Sequence, residues 1–141
     1  MSTRAAVEAR LRETWNSCGY YHLVGMEVTR ADESGSEFHI EIVPEHLQAY
    51  GTAHGGILAG LVDAAMGLAI LGRAPEGEGC ATVEMKINFV APALPGPLVG
   101  RGSVLHEGRR MVVAQGEARD GEGRLVAVGM GTFQRIPASA S

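Results

Sequence analysis

Cysteine is scarce in this chain: Cys18 and Cys80 are the only two among 141 residues, and they form no Cys-x-x-Cys pair. A disulfide-built scaffold of this size needs more, so a free-thiol, cytoplasmic protein is expected. A basic excess is missing too. The formal net charge is −4, which leaves no field to gather nucleic acid. Met1-Ser-Thr-Arg-Ala-Ala-Val-Glu has no apolar core of the kind a secretory signal carries. The longest apolar run, Ile57 to Leu71, falls short of the roughly 20 residues that span a bilayer, so a core helix is expected in place of a membrane anchor. There is no phosphate-cradling Gly-rich loop, no dinucleotide fingerprint and no Gly-x-Ser-x-Gly. His22, His39, His46 and His106 have no metal-ligand spacing. These gaps disfavour nucleotide hydrolysis and serine-hydrolase chemistry, and no metal or cofactor is expected.

What is present suits one globular domain, residues 1–141. Hydrophobic residues make up 45 % and charged residues 20 %, ordinary values for a chain long enough to bury a core without staples. Val7, Leu11 and Trp15 recur every four residues and predict a helix over 3–17, with residues 1–19 as an N-terminal helical segment and Gly19 as its stop. Two strands are expected next, Leu23–Ala31 and Glu37–Pro44, around an Asp32–Ser36 turn. The apolar helix follows a loop over 45–53. Four more strands are expected: Ala81–Val90, Leu98–His106, Met111–Arg119 and Leu125–Arg135, the last two joined by an Asp-Gly turn. In the first of these, alternation puts Val83, Met85, Ile87 and Phe89 on one face and Thr82, Glu84, Lys86 and Asn88 on the other. Ala127, Gly129 and Gly131 would let another backbone come close. Residues 136–141 are expected to be a flexible tail.

This order describes an α+β architecture, an antiparallel sheet wrapped around one long central helix, with an extra N-terminal helix. A helix apolar on every side is a buried helix. One sheet covers one side of it, so a second subunit or the N-terminal helix must cover the remainder. Asp63 is the single charged residue of that helix, and a carboxylate there must find partners. Upstream, His54-Gly55-Gly56 opens the helix, and helix N-termini present unpaired N–H groups with a positive dipole end. An isolated acid and an open helix start suggest a site for acyl chemistry.

Gln48-Ala-Tyr-Gly51-Thr-Ala-His54-Gly55-Gly56, followed by Leu61-Val62-Asp63, resembles the signature of hotdog-fold acyl-CoA thioesterases. It looks most like the phenylacetate-pathway (PaaI-type) branch of the 4-hydroxybenzoyl-CoA thioesterase superfamily. The resemblance takes in Leu23-Val-Gly-Met, Ala81-Thr-Val-Glu-Met-Lys-Ile-Asn-Phe, the Arg109 turn and the last strand, about residues 20–135. It implies paired subunits with a continuous sheet, often assembled into tetramers, and acyl-CoA as substrate. It also implies site roles. The Gly55 N–H would polarise the thioester carbonyl, with Gly56 beside it. Asp63 would be nucleophile or general base, Thr82 would stand near the acid, and His54 would orient the loop or contact the thioester. Gln48 stands where the family usually has Asn; both carry an amide, and Gln is one methylene longer. Arg101, Arg109 and Arg110 are the basic group to propose for CoA phosphates, since Arg recognises phosphate well.

Spacing adds a constraint once these roles are assumed. From Gly55 to Asp63 is eight residues, about 12 Å of helix rise, whereas reacting atoms must come within about 3–3.5 Å. Asp63 of one subunit must therefore meet Gly55 of another, giving two composite sites in a two-fold dimer. The expected reaction is hydrolysis of an aryl- or medium-chain acyl-CoA to free acid and CoA. The rivals are a hotdog dehydratase, whose His acid/base sits in a different motif, and a non-catalytic acyl-CoA-binding hotdog protein, which would tolerate Asp63→Asn.

Overall fold

The computed structural model describes residues 3–139, so the ends of the expected N-terminal segment and tail, residues 1, 2, 140 and 141, lie outside the described residues. Helices α1 (Arg4–Asn16) and α2 (Gly19–Val24) precede strands β1 (Met26–Asp32) and β2 (Gly35–Ile42). The long helix α3 spans Gly55–Leu71, and β3 (Gly79–Phe89), β4 (Gly96–Glu107), β5 (Met111–Asp120) and β6 (Leu125–Ile136) complete the chain. The strands form one antiparallel six-stranded sheet in the order β1-β2-β4-β5-β6-β3.

The α2 helix corrects the sequence reading. Gly19 starts a helix where a stop was expected, and Leu23 and Val24 are helical where a strand was expected. Tertiary packing overrides the local apolar run. Tyr21 is buried and meets Phe38 edge-on at 5.4 Å between ring centroids, with Trp15 at 6.0 Å. Gly25 then ends the helix at φ 78, a left-handed conformation that glycine adopts without strain, and turns the chain into β1.

The sheet curls around α3, of whose residues Leu58, Leu61, Val62, Ala64, Ala65, Met66 and Leu68–Leu71 are buried. Glycines in the central strands let the helix come in close: a side chain at Gly102 would collide with the Ala65 carbonyl. Beside it the buried Ser36 hydroxyl donates to that same carbonyl at 2.5 Å. In β6, a Cβ at Gly129 would lie 3.1 Å from Val62 and 3.0 Å from the Lys86 carbonyl, so the small residues there admit both the helix and the neighbouring strand. On the other side of α3, the cover comes from Trp15, Tyr20 and Tyr21, while α1 packs chiefly on β1.

The two sheet edges are finished differently. At β1, Asn16 of α1 accepts from the Val28 N–H at 2.7 Å and donates to the Val28 carbonyl at 3.2 Å, and Arg12 donates to the same carbonyl at 3.4 Å. At β3, Ala81 to Glu84 are all exposed, and no strand among the described residues pairs with the outer edge. Among the described residues no helix is long and apolar enough to cross a membrane.

Candidate functional site

Asp63 lies two turns into α3 and is half-buried, not enclosed. Its Oδ1 accepts a hydrogen bond from Thr82 Oγ1 at 2.7 Å, and no donor among the described residues meets Oδ2. This contact depends on an irregularity in β3. Thr82 pairs with Phe133 and Glu84 with Thr132, so Val83 is an extra residue without an opposite number. Such a bulge resets the alternation of faces. Thr82 therefore sits on the α3 face with Met85, Ile87 and Phe89, while Val83 is pushed out of that row. Strict alternation had placed Thr82 and Val83 on the opposite faces.

The surroundings of Asp63 are apolar and aromatic. Trp15, Tyr21, Leu68, Leu71, Cys80 and Phe133 enclose a hollow of about 120 Å³ that also reaches Asp63 and Thr82. Burial pushes the Cys80 thiol up to about 11, and the nearby Asp63 carboxylate adds to the rise. The Tyr21 phenol is raised by burial first and by Cys18 and Asp63 after it. Both groups are held in their protonated forms next to the acid. The sequence reading passed over Cys80. It could have been found, because it lies two residues before Thr82 and so shares its face. Trp15 and Tyr21 come to the acid only through the packing of α1 and α2.

The start of α3 is a separate place. His54 is the N-cap, and its Nδ1 accepts from the Gly56 N–H at 2.8 Å. The Ile57 N–H turns back to the His54 carbonyl at 3.0 Å. No acceptor among the described residues meets the Gly55 N–H. The Phe89 ring lies where a side chain at Gly55 would point, 3.2 Å from an added Cβ. Gln48 shares a hollow with Gly55, Leu58 and Phe89. Its amide holds the loop: Nε2 donates to Thr52 Oγ1 at 2.7 Å, and Oε1 accepts from the Tyr50 N–H at 2.6 Å. Gly56 opens onto a different hollow, between His54 and α2.

One chain thus joins Gln48, His54, Gly55 and Gly56 at the helix start and joins Asp63 and Thr82 further along, but it does not bring the two groups together. Nor are the three arginines one cluster. Arg101 lies between Gly100 and Gly102, which face α3, so it points from the opposite face of the sheet, where it pairs with Glu37 at 2.9 Å. Arg109 and Arg110 are exposed in the turn between β4 and β5. Strand alternation and distance along β4 separate them. Among the described residues no group of three or more His, Cys, Asp or Glu is placed to hold a metal ion.

Known proteins are similar to this chain in sequence and in fold. The family model of the thioesterase superfamily matches residues 50–127. A protein of Saccharolobus solfataricus whose name proposes an esterase, SSO1253, is 30 % identical over 80 % of this chain and 75 % of its own. The solved structure of conserved protein PA5202 from Pseudomonas aeruginosa is 33 % identical with a TM-score of 0.81, covering 84 % of this chain and 94 % of that one. The E. coli PaaI protein, from the phenylacetic acid degradation operon, is similar in fold, with a TM-score of 0.85 over 99 % of both chains at 22 % identity. The family match over more than half of the chain and the 30 % identical relative show that this hotdog-fold chain belongs to the thioesterase superfamily.

Proposed function

We propose that the protein is an acyl-CoA thioesterase, hydrolysing its substrate to a free acid and CoA in a site shared between two copies of the chain. The observation that carries this reading is the separation along α3. The unpaired Gly55 N–H and the Asp63–Thr82 pair are eight residues apart, about 12 Å, and each is half of a hydrolytic site. Two α3 helices running antiparallel across a two-fold axis would set each Asp63 against the other chain's Gly55. The unpaired edge of β3 supports such pairing, because unpaired strand edges readily accept another strand.

In this reading the thioester carbonyl accepts from the Gly55 N–H of one subunit. The Oδ2 of Asp63 from the other takes a proton from water as the water oxygen bonds to the carbonyl carbon. The negative charge that develops on the carbonyl oxygen is held by the N–H, a contribution of about 3 kcal/mol for one such donor. Collapse of the intermediate breaks the carbon–sulfur bond and releases CoA as its thiolate. If Asp63 attacks directly, its carboxylate displaces CoA as the thiolate to form a mixed anhydride, which water then hydrolyses to the free acid and the Asp63 carboxylate. Oxygen-18 incorporation into Asp63 in a single turnover separates the two routes. Thr82 orients the acid, His54 fixes the helix start and Gln48 the loop before it. Arg109 and Arg110, exposed and in no ion pair among the described residues, would meet the CoA phosphates.

A panel of acyl-CoAs assayed by free-thiol release tests the reading. Wild type should turn over at least one member, and Asp63→Asn should lose activity by a factor on the order of 10³ or more. An Asp63→Asn protein with full activity would return the chain to the acyl-CoA-binding class. Mixing inactive Asp63→Ala with an inactive variant at Gly55 should restore activity through mixed dimers; no recovery despite proven subunit exchange would sink the shared site.

A further inference from the structure

We infer that the hollow behind Asp63 is the acyl pocket, and that it limits the substrate to compact acyl groups, of one six-membered ring or about six carbons at most. This inference rests on the thioesterase reading and sharpens it. Asp63, Gly67 and Leu71 recur every four residues and so line one stripe of α3. The hollow follows that stripe away from the helix start, walled by Trp15 of α1, Tyr21 of α2 and Phe133 of β6. Its polar end is open, where Thr82 is exposed and Asp63 half-buried. Its other lining is largely apolar and buried, with Leu68 at 2 %, Phe133 at 2 % and Leu71 at 6 % exposure. An acyl carbon presented to Asp63 has this apolar recess directly behind it.

Size decides what can enter. The hollow measures about 120 Å³, while an apolar cavity of about 150 Å³ takes one benzene molecule and little else. The larger hollows are differently placed, and none of them reaches Asp63. One, lined by His22, Leu23, Glu45 and His46, adjoins Gly56 and has no contact with Asp63. A second, around Arg30, Arg101 and Gln115, opens on the sheet face turned from α3, and a third lies at the helix start with Gln48, Gly55 and Phe89. The walls of the pocket are also held in place. Tyr21 is wedged between Trp15, Tyr20 and Phe38, so a longer chain finds no yielding side chain to displace.

Gly67 offers a direct handle. A Cβ added there would project toward Phe133 at 3.7 Å and Cys80 at 3.9 Å, filling part of the pocket without a clash. The test uses a linear series from acetyl- to dodecanoyl-CoA, with kcat/KM measured by thiol release for wild type, Gly67→Ala and Trp15→Leu. For wild type, kcat/KM should rise roughly fourfold per added methylene and stop rising near six carbons. Gly67→Ala should shorten the optimum by one or two carbons and lower the hexanoyl-to-butanoyl ratio about fivefold or more. Its thermal midpoint should rise by on the order of 3 °C, because alanine favours the helix over glycine. Trp15→Leu should move the optimum to longer chains. A wild-type rate that keeps climbing through decanoyl overturns the pocket assignment, as does an unchanged chain-length profile in both folded variants. An absence of CoA release from the whole series removes the thioesterase reading itself, and the pocket with it.

Discussion

Both edge strands of the sheet carry a bulge, at Thr29 in β1 and at Val83 in β3, yet the two edges have opposite fates. The β1 edge is closed by its own chain, with Asn16 and Arg12 supplying the hydrogen bonds a neighbouring strand would make at Val28. The β3 edge is left open, and its bulge turns Thr82 inward to Asp63. The same local device lies beside a sealed edge in one case and shapes a candidate site in the other. What differs is the company each edge keeps: a helix lies on β1, and the acid of α3 lies under β3.

The sharpest way to break this comparison is to shift the phase of β3. Deleting Lys86 should absorb the bulge and turn Glu84 into the row that faces Met66, burying an unpaired carboxylate at a loss on the order of 3–5 kcal/mol in urea unfolding. Deleting Val83 should regularise the strand, keep Thr82 opposite Phe133, and cost under about 1 kcal/mol. Equal losses from the two deletions would show that the bulge does not set the phase.

At the closed edge, Asn16→Ala should remove about 1–3 kcal/mol, because the Val28 N–H loses its acceptor. Activity per folded molecule should stay within twofold, and a larger kinetic effect would mean that the β1 edge also serves the site. At the open edge the converse is expected. Thr82→Val keeps the shape and removes the bond to Asp63, so kcat/KM should fall about tenfold while the unfolding midpoint barely moves.

The smallest effects are titrations, again one per edge. At Asp32 in β1, burial works to raise the carboxyl, but the Ser34 hydroxyl and N–H and the Arg30 guanidinium hold it down at about 2. A lowered value means that its stabilisation is present above the ordinary carboxylate range and is lost as pH falls from about 4 to 2. Asp32→Asn should flatten that acid limb. Cys80 in β3 is raised from 9.0 to about 11, so its contribution is present below pH 9 and is lost as pH rises toward 11. Cys80→Ala should flatten the alkaline limb, and Asp63→Asn should let the thiol react with iodoacetamide at lower pH.

Periodicity made most of this architecture legible. The α3 run and the four strands after it match their observed spans to within two residues, because apolar spacing and Gly/Pro turns speak clearly there. The loop and helix start were legible through the Gln48–Asp63 pattern, and the separation of Gly55 from Asp63 is a matter of counting along a helix. Two features were not. Leu23-Val24-Gly25-Met26 reads equally well as strand or helix, and only Tyr21 packing against Phe38 decides it. The Val83 bulge is invisible to alternation, which presumes one residue per partner. Thr82 was therefore singled out correctly as a neighbour of the acid yet assigned to the face pointing away from it. The arginines show the same limit: sequence proximity of Arg101 to Arg109 says nothing about faces.

The closure of β1 by Asn16 and Arg12 has a consequence for stoichiometry. A chain with one adhesive edge can join one other chain edge to edge, and the union leaves nothing further to join. A chain with two such edges has no natural stopping point. By sealing Val28, α1 works as a chain terminator, and removing it through Asn16 should let a chain that pairs through β3 grow into strand-paired polymers.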